Sequence, residues 1–322
     1  MTEDSRKKLL SKRVLDVKVG SGMDVLRLFD LYRDMGGFTS RYLYEAFDIL
    51  SAMFGDVQST NFLSFTADLV STGLRGIIAQ FIRTGKFKVI VTTCGTLDHD
   101  IARALGARYS EGSFDMDDSF LREHGISRLG NLLIPVEDYG LLTEKYVHGV
   151  LDRLHDSGKS WGVRELIHEL GRSLPQDSNS ILKASFDTGT PVYVPGFTDG
   201  AVGTHVFTYS QTRKFFLDPL KDMSELSNII FDSKKSGALV LGGGISKHHT
   251  IWWNQFKEGL DYAVYLTTAV EYDGSLSGAR TKEAISWNKI KTDARHTTVW
   301  GDATVTLPLL AAALFTKFGI KV

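Results

Sequence analysis

Ala238-Leu239-Val240-Leu241-Gly242-Gly243-Gly244 runs from four apolar residues into three glycines, and Ile245-Ser246-Lys247-His248-His249 follow. A short apolar run that stops at glycine reads as a buried strand. The glycines would let backbone amides approach a pyrophosphate with no side chain in the way. A structural turn accounts for three glycines equally well. The G-x-G-x-x-G spacing of ordinary dinucleotide sites, with its ribose-binding acid, follows none of the strands.

Outward from this segment the same form recurs. Residues 61–65 lead into 66–73, 87–93 into 94–96, 192–194 into 197–203, 262–266 into 267–269, and 298–300 into 301–304. Apolar strands followed by small-residue loops and helical periodicity predict α/β architecture. The expectation is a single Rossmann-like domain over residues 14–322, with a mostly parallel central sheet flanked by helices and a mobile tail over residues 1–13. In such sheets ligands bind beyond the carboxyl ends of the strands, so the small-residue loops outline one site.

Composition narrows the function. The chain has 322 residues, 43% hydrophobic and 23% charged, enough to bury a substantial core. Its 37 basic and 38 acidic residues give a net charge of -1, so no overall field favours nucleic acid or an anionic membrane. Cys94 is the only cysteine, which excludes an internal disulfide and a thiolate cluster and points to a cytoplasmic protein. Residues 1–13 are charged and unlike a secretory leader. Residues 307–315, broken by Pro308, fall short of the roughly 20 needed to span a bilayer, and read as a buried helix. No metal is expected, because the histidines are scattered and no HExxH pattern accompanies the His248-His249 pair.

Three groups of residues carry chemistry. A histidine such as His248, just after a strand, can move a proton near neutral pH, although a lone histidine is more often structural. Glu283-Ala284-Ile285-Ser286-Trp287-Asn288-Lys289 brings an acid, an indole and a lysine together. It reads either as an amphipathic surface turn or as a site where Trp287 desolvates Lys289 and lowers its pKa for attack on carbon. Asp199 and Asp302 follow strands and suit either ribose hydroxyls or helix N-caps.

Taken together, the string from Leu241 to His249, Asp261-Tyr262-Ala263-Val264-Tyr265, Asp273-Gly274-Ser275-Leu276-Ser277-Gly278-Ala279-Arg280 and the Glu283 to Lys289 string resemble the deoxyhypusine synthase family. Weaker matches extend through most of the chain beyond its first residues. The resemblance implies that NAD takes a hydride from spermidine. An aminobutyl group then passes to Lys289 as an imine and on to a lysine of translation initiation factor 5A, where the retained reduced cofactor completes the transfer. It also implies a homotetramer with active sites between paired subunits.

By position, the resemblance implies that His248 assists proton transfer, Trp287 packs on the polyamine chain and Glu283 faces an ammonium. Asp98, Asn131, Gly274 and Ser275 would complete the amine pocket. Cofactor contacts would come from Ala67, Asp68, Leu69, Val70 and Ser71, from Thr93, Cys94 and Gly95, and from Asp199, Gly243, Thr268, Ala269, Asp302 and Ala303. The chain departs from the family pattern where Leu276, Thr204 and His99 stand at acidic positions. Burying a polyamine's ammonium groups calls for carboxylates. The alternatives are therefore a related transferase of the homospermidine synthase or agmatine-using type, or a non-catalytic regulatory paralogue.

Overall fold

The computed structural model describes residues 3–155 and 158–321. Six strands, β1 (Ser59–Phe65), β2 (Val89–Val91), β3 (Val192–Tyr193), β4 (Lys235–Leu241), β5 (Leu260–Thr267) and β6 (Ile290–Trp300), form one sheet. Every neighbouring pair in it is parallel. Its order is β6-β5-β4-β1-β2-β3, which read from the other edge is the 3-2-1-4-5-6 order of doubly wound dinucleotide-binding sheets. All six expected strands are present, and the α/β architecture is the one expected.

The sheet is apolar on both faces because helices cover both. Side chains alternate across each strand: Leu63, Phe65, Leu239 and Val264 pack with the helices Phe38–Gly55, Leu74–Arg83 and Ala303–Phe318. Phe62, Val91, Val240 and Tyr265 face the other way, into a cluster that holds Ile251 and Trp253 of helix Gly244–Asn254, Leu226 and Ile230 of Pro219–Asp232, and Ala284. Residues 307–315 lie in Ala303–Phe318, where Pro308 is accommodated in the second turn.

The chain reverses direction across the sheet between β1 and β4, which pair from Ser59↔Lys235 to Phe65↔Leu241. Their exits therefore leave side by side. Gly242 turns with φ +81°, and a Cβ there would lie 3.0 Å from Thr66 Oγ1. This glycine is required both by its backbone conformation and by the closeness of the neighbouring turn.

A buried ion pair ties three helices together beneath the carboxyl edge. Arg75 Nε donates to Asp100 Oδ1 at 2.6 Å, and the same carboxylate accepts from Ser180 Oγ at 2.8 Å, Ile181 N at 3.0 Å and Leu182 N at 2.8 Å. Arg75 also donates to Asp177 at 2.6 Å. Asp100 thus satisfies the first amides of Ile181–Thr188 from the body of Cys94–Ala104.

Some elements had no counterpart in the sequence reading. Ser110–Glu111, Leu132–Pro135 and Ile126–Leu129 form a small antiparallel sheet, and Ser160–Trp161 pairs with Phe216–Leu217. Unlike β2 and β3, these strands are mostly exposed or half-buried, so no buried apolar run marks them. The tail expected over residues 1–13 begins with Met1 and Thr2, which lie outside the described residues, and continues as a helix over Glu3–Leu9.

Candidate active site

Helix Thr281–Ser286 ends in a left-handed turn at Asn288, φ 58°. Asn288 N–H donates to the Ile285 carbonyl at 3.0 Å, and Lys289 N–H to the Ala284 carbonyl at 2.9 Å. This pair of bonds closes a helix through one residue in the left-handed region, and asparagine is the commonest non-glycine choice there. The closure presents Lys289 immediately before β6. Its Nζ lies 5.4 Å from the centroid of the Trp287 ring and 5.8 Å from that of Trp252. Lys289 is only 8% exposed although Trp287 is 64% exposed, so the indole shields the amine and shows its outer face to solvent.

Lys289 opens into a cavity of about 240 Å³, with His248, Trp287, Glu283, Leu276, Tyr265 and Lys247 on its walls. His248 stacks on Trp252 at 5.6 Å with a 26° tilt, one turn apart on helix Gly244–Asn254. Burial, and then the Lys289 charge, hold His248 below the ordinary histidine range, which leaves a neutral imidazole able to accept or give a proton. Glu283 stands exposed at the rim without an ion pair among the described residues, whereas Arg280 pairs with Glu271 and lies over Trp300. The structure thus brings Lys289, His248, Trp287 and Glu283 to one cavity.

Every residue proposed for the cofactor follows a strand of the central sheet. Ala67 to Ser71 come after β1, Thr93 to Gly95 after β2, Asp199 after β3, Gly243 after β4, Thr268 and Ala269 after β5, and Asp302 and Ala303 after β6. The loops touch: a Cβ at Gly95 would lie 2.9 Å from Ala67 Cβ, and one at Gly200 would lie 2.7 Å from Cys94 Sγ. Helices Cys94–Ala104 and Gly244–Asn254 begin here at Thr93 and Gly243 without a side-chain cap. Uncapped amides at paired helix starts beside a reversal of strand order suit a pyrophosphate.

Of the two aspartates, Asp302 caps Ala303–Phe318 by accepting from Thr304 N at 2.7 Å, whereas Asp199 precedes a helix whose N-cap is Gly200. Burial pushes the Cys94 thiol up to about 12, so it is no nucleophile.

Two proposed pocket residues lie elsewhere in this chain. Asp98 is 1% exposed and accepts from Val202 N at 2.8 Å, Ala201 N at 2.9 Å and Tyr139 Oη at 3.0 Å, so its carboxylate closes the start of helix Ala201–Ser210. Asn131 sits exposed in the turn between Ile126–Leu129 and Leu132–Pro135 and is not on the cavity wall. Gly274 and Ser275 are exposed on the loop of residues 271–279, which meets the cavity through Leu276 and Ala279. His99 is buried against Tyr109 Oη at 2.7 Å, and burial lowers it to about 4.

Residues 27–314 match the family model for deoxyhypusine synthase. The chain belongs to the deoxyhypusine synthase family. A probable deoxyhypusine synthase from Ignicoccus hospitalis is 52% identical over 97% of this chain and 98% of its own length. One from Thermoplasma volcanium is 51% identical over 95% and 98%. Among solved structures, a candidate deoxyhypusine synthase from Entamoeba histolytica covers 94% of this chain and 96% of its own, with a TM-score of 0.63 at 19% identity, which bears on the fold. As a member of this family the chain is an enzyme. Among the described residues, no helix is long and apolar enough to cross a membrane.

The sequence reading gave no role to Lys247 or Tyr265, which line the cavity, or to Trp252, which stacks on His248 and lies near the Lys289 amine. The i, i+4 spacing of His248 and Trp252 on a helix was the available sign for Trp252. The turn itself supplies a test. Asn288→Gly is expected to leave stability and amine trapping on Lys289 intact, while Asn288→Val should cost about 1–3 kcal/mol and slow trapping. Denaturant midpoints and adduct yields read both, and equal behaviour of the two variants would contradict the assigned role.

Proposed function

We propose that this enzyme transfers the aminobutyl group of spermidine to a lysine of translation initiation factor 5A, through an imine on Lys289, with NAD as a resident cofactor in the cytoplasm. The observation that carries the reading is the meeting of Lys289, His248, Trp287 and Glu283 in one cavity of a deoxyhypusine synthase family member. When bound, NAD would accept a hydride from the donor amine and return it at the end of the cycle.

The chain's own residues supply the rest. The indoles of Trp287 and Trp252 hold the Lys289 amine out of bulk water. His248, neutral and stacked, is placed to carry the proton exchanged as carbon–nitrogen bonds form and break. Glu283 offers an unpaired carboxylate to a terminal ammonium of the donor. The uncapped helix starts at Thr93 and Gly243 and the crossing of the Gly242 and Thr66 turns would receive the cofactor's phosphates. Trp287, Trp252 and Tyr272 present exposed rings around this part of the surface, which supports a second copy closing the site within a homotetramer.

Leu276 on the cavity wall and Glu283 as its one carboxylate favour a second reading, in which a smaller amine or agmatine is the donor. Borohydride reduction after incubation with NAD and each candidate amine, read by intact mass and peptide mapping, separates the readings. An aminobutyl increment on the Lys289 peptide from spermidine is expected. A guanidinobutyl increment from agmatine, left after its primary amine departs as ammonia, or an aminobutyl increment from putrescine, in either case with none from spermidine, supports the second reading. No increment from any amine sinks both and favours a regulatory paralogue.

A further inference from the structure

Lys247 is the fourth residue of helix Gly244–Asn254, directly beyond the glycine turn after β4. It is 1% exposed, and among the described residues no carboxylate pairs with it. Its Nζ lies 4.3 Å from the centroid of the Tyr265 ring and donates to two backbone carbonyls, Leu276 O at 2.6 Å and Ala279 O at 2.7 Å. Burial lowers the ammonium to about 8. The Glu283 charge across the cavity opposes this lowering without forming an ion pair, and a buried cation so weakly compensated persists where its donors satisfy acceptors that would otherwise be orphaned.

Both acceptors belong to residues 271–279, a segment with one short 3-10 turn, Glu271–Asp273, and a left-handed Gly274. The segment is closed only by single turns, such as Gly274 N–H to Glu271 O at 3.4 Å and Ala279 N–H to Leu276 O at 3.3 Å, with no helix or strand ladder of its own beyond that 3-10 turn. Ser277 adds two more attachments: its carbonyl accepts from Thr267 Oγ1, at the end of β5, at 3.1 Å, and it lies so close to Gly243 of the glycine turn that a Cβ there would collide with it. Leu276, whose carbonyl Lys247 holds, puts its side chain on the wall of the Lys289 cavity.

We propose that Lys247 is a positioning residue that pins residues 271–279 across the glycine turn, and so fixes the amine-facing wall of the Lys289 cavity relative to the cofactor edge of the sheet. Lys247 does no bond-making in this role. It couples two loops from adjacent strands, β4 and β5, through main-chain carbonyls. The identity of the cavity as an amine site rests on the function proposed above, whereas the pinning does not.

Amide hydrogen exchange on the full-length chain, with no donor present, reads the loop directly. Lys247→Met keeps an unbranched stem over Tyr265 and loses the donors. It is expected to speed exchange at residues 271–279 by about tenfold or more while β1 and β4 keep their protection. Unchanged loop exchange would overturn the proposal. In the wild-type chain labelled with 15N-lysine, one slowly exchanging ammonium resonance that is absent from Lys247→Arg is expected. Its absence from the wild type would overturn the pinning without requiring Lys247→Met to fold. In turnover, Lys247→Met should raise the donor KM about tenfold or more with kcat within about threefold, and Lys247→Arg should recover part of the loss. A wild-type KM in Lys247→Met would overturn the coupling. If the wild type traps no amine at all, the proposed function fails while the exchange experiment still decides the pin.

Discussion

Lys289→Arg is expected to lose the borohydride-trapped adduct and to lower amine transfer by about a thousandfold or more. Arginine preserves the positive charge and can lie over the same two indoles, so the change removes little beyond the nucleophile. A guanidinium is not deprotonated in proteins and forms no imine with an amine-derived carbon. Cofactor binding is expected to stay within about twofold, because Lys289 precedes the amino end of β6 while the proposed cofactor residues follow the carboxyl ends of the strands. Fluorescence titration with NAD and intact mass measure the two quantities. The informative alternative is an adduct that persists on Lys247, the cavity's other lysine. Peptide mapping would reveal it, and the assignment of the nucleophile would then be wrong.

Asp100→Ala should lower unfolding free energy by about 3–5 kcal/mol, the cost of stranding a buried charge. Asp100 is fully buried and Arg75 is 4% exposed. Removing the carboxylate strips Arg75 of its fully buried partner and leaves only the partly exposed Asp177 at 2.6 Å. It also orphans Ser180 Oγ and the amides of Ile181 and Leu182. Asp100→Asn keeps an acceptor for these donors and should fall between alanine and the wild type. Denaturant unfolding at neutral pH provides the comparison, and an unshifted midpoint for Asp100→Ala would show that the charge is hydrated or relayed to Asp177.

The parts of this molecule legible in its sequence are those governed by local pattern. Each β strand of the large sheet announces itself by an apolar run that stops at glycine or a small polar residue, and the loop positions followed from that. β6 was seen only at its end, because residues 290–297 mix Lys291, Asp293, Arg295 and His296 into the strand; its pairing with β5 shifts register between Leu260 and Tyr262, where a bulge takes Lys291 and Asp293 out of the ladder. The Lys289 turn was half legible. Asn288 after a helical stretch is a closing residue, yet the amphipathic surface turn remained an equal reading because exposure of Trp287 and burial of Lys289 occur together.

What the sequence concealed are contacts between distant segments. Nothing local to Asp98 says that its carboxylate is spent on Ala201 and Val202. Nothing local to Lys247 says that it meets carbonyls about thirty residues on. Such contacts depend on the packed sheet bringing loops of neighbouring strands together.

The attachment of residues 271–279 through main-chain carbonyls carries an evolutionary consequence. Carbonyl oxygens are the same whatever side chain they belong to, so mutation at Leu276 or Ala279, the residues of the segment on the cavity wall, changes that wall while the anchorage survives. Leu276 in place of an acid is a change of that kind. On the proposed function, selectivity for the donor is therefore free to drift in charge and shape at this wall, under separate selection from the sheet edge assigned to the cofactor.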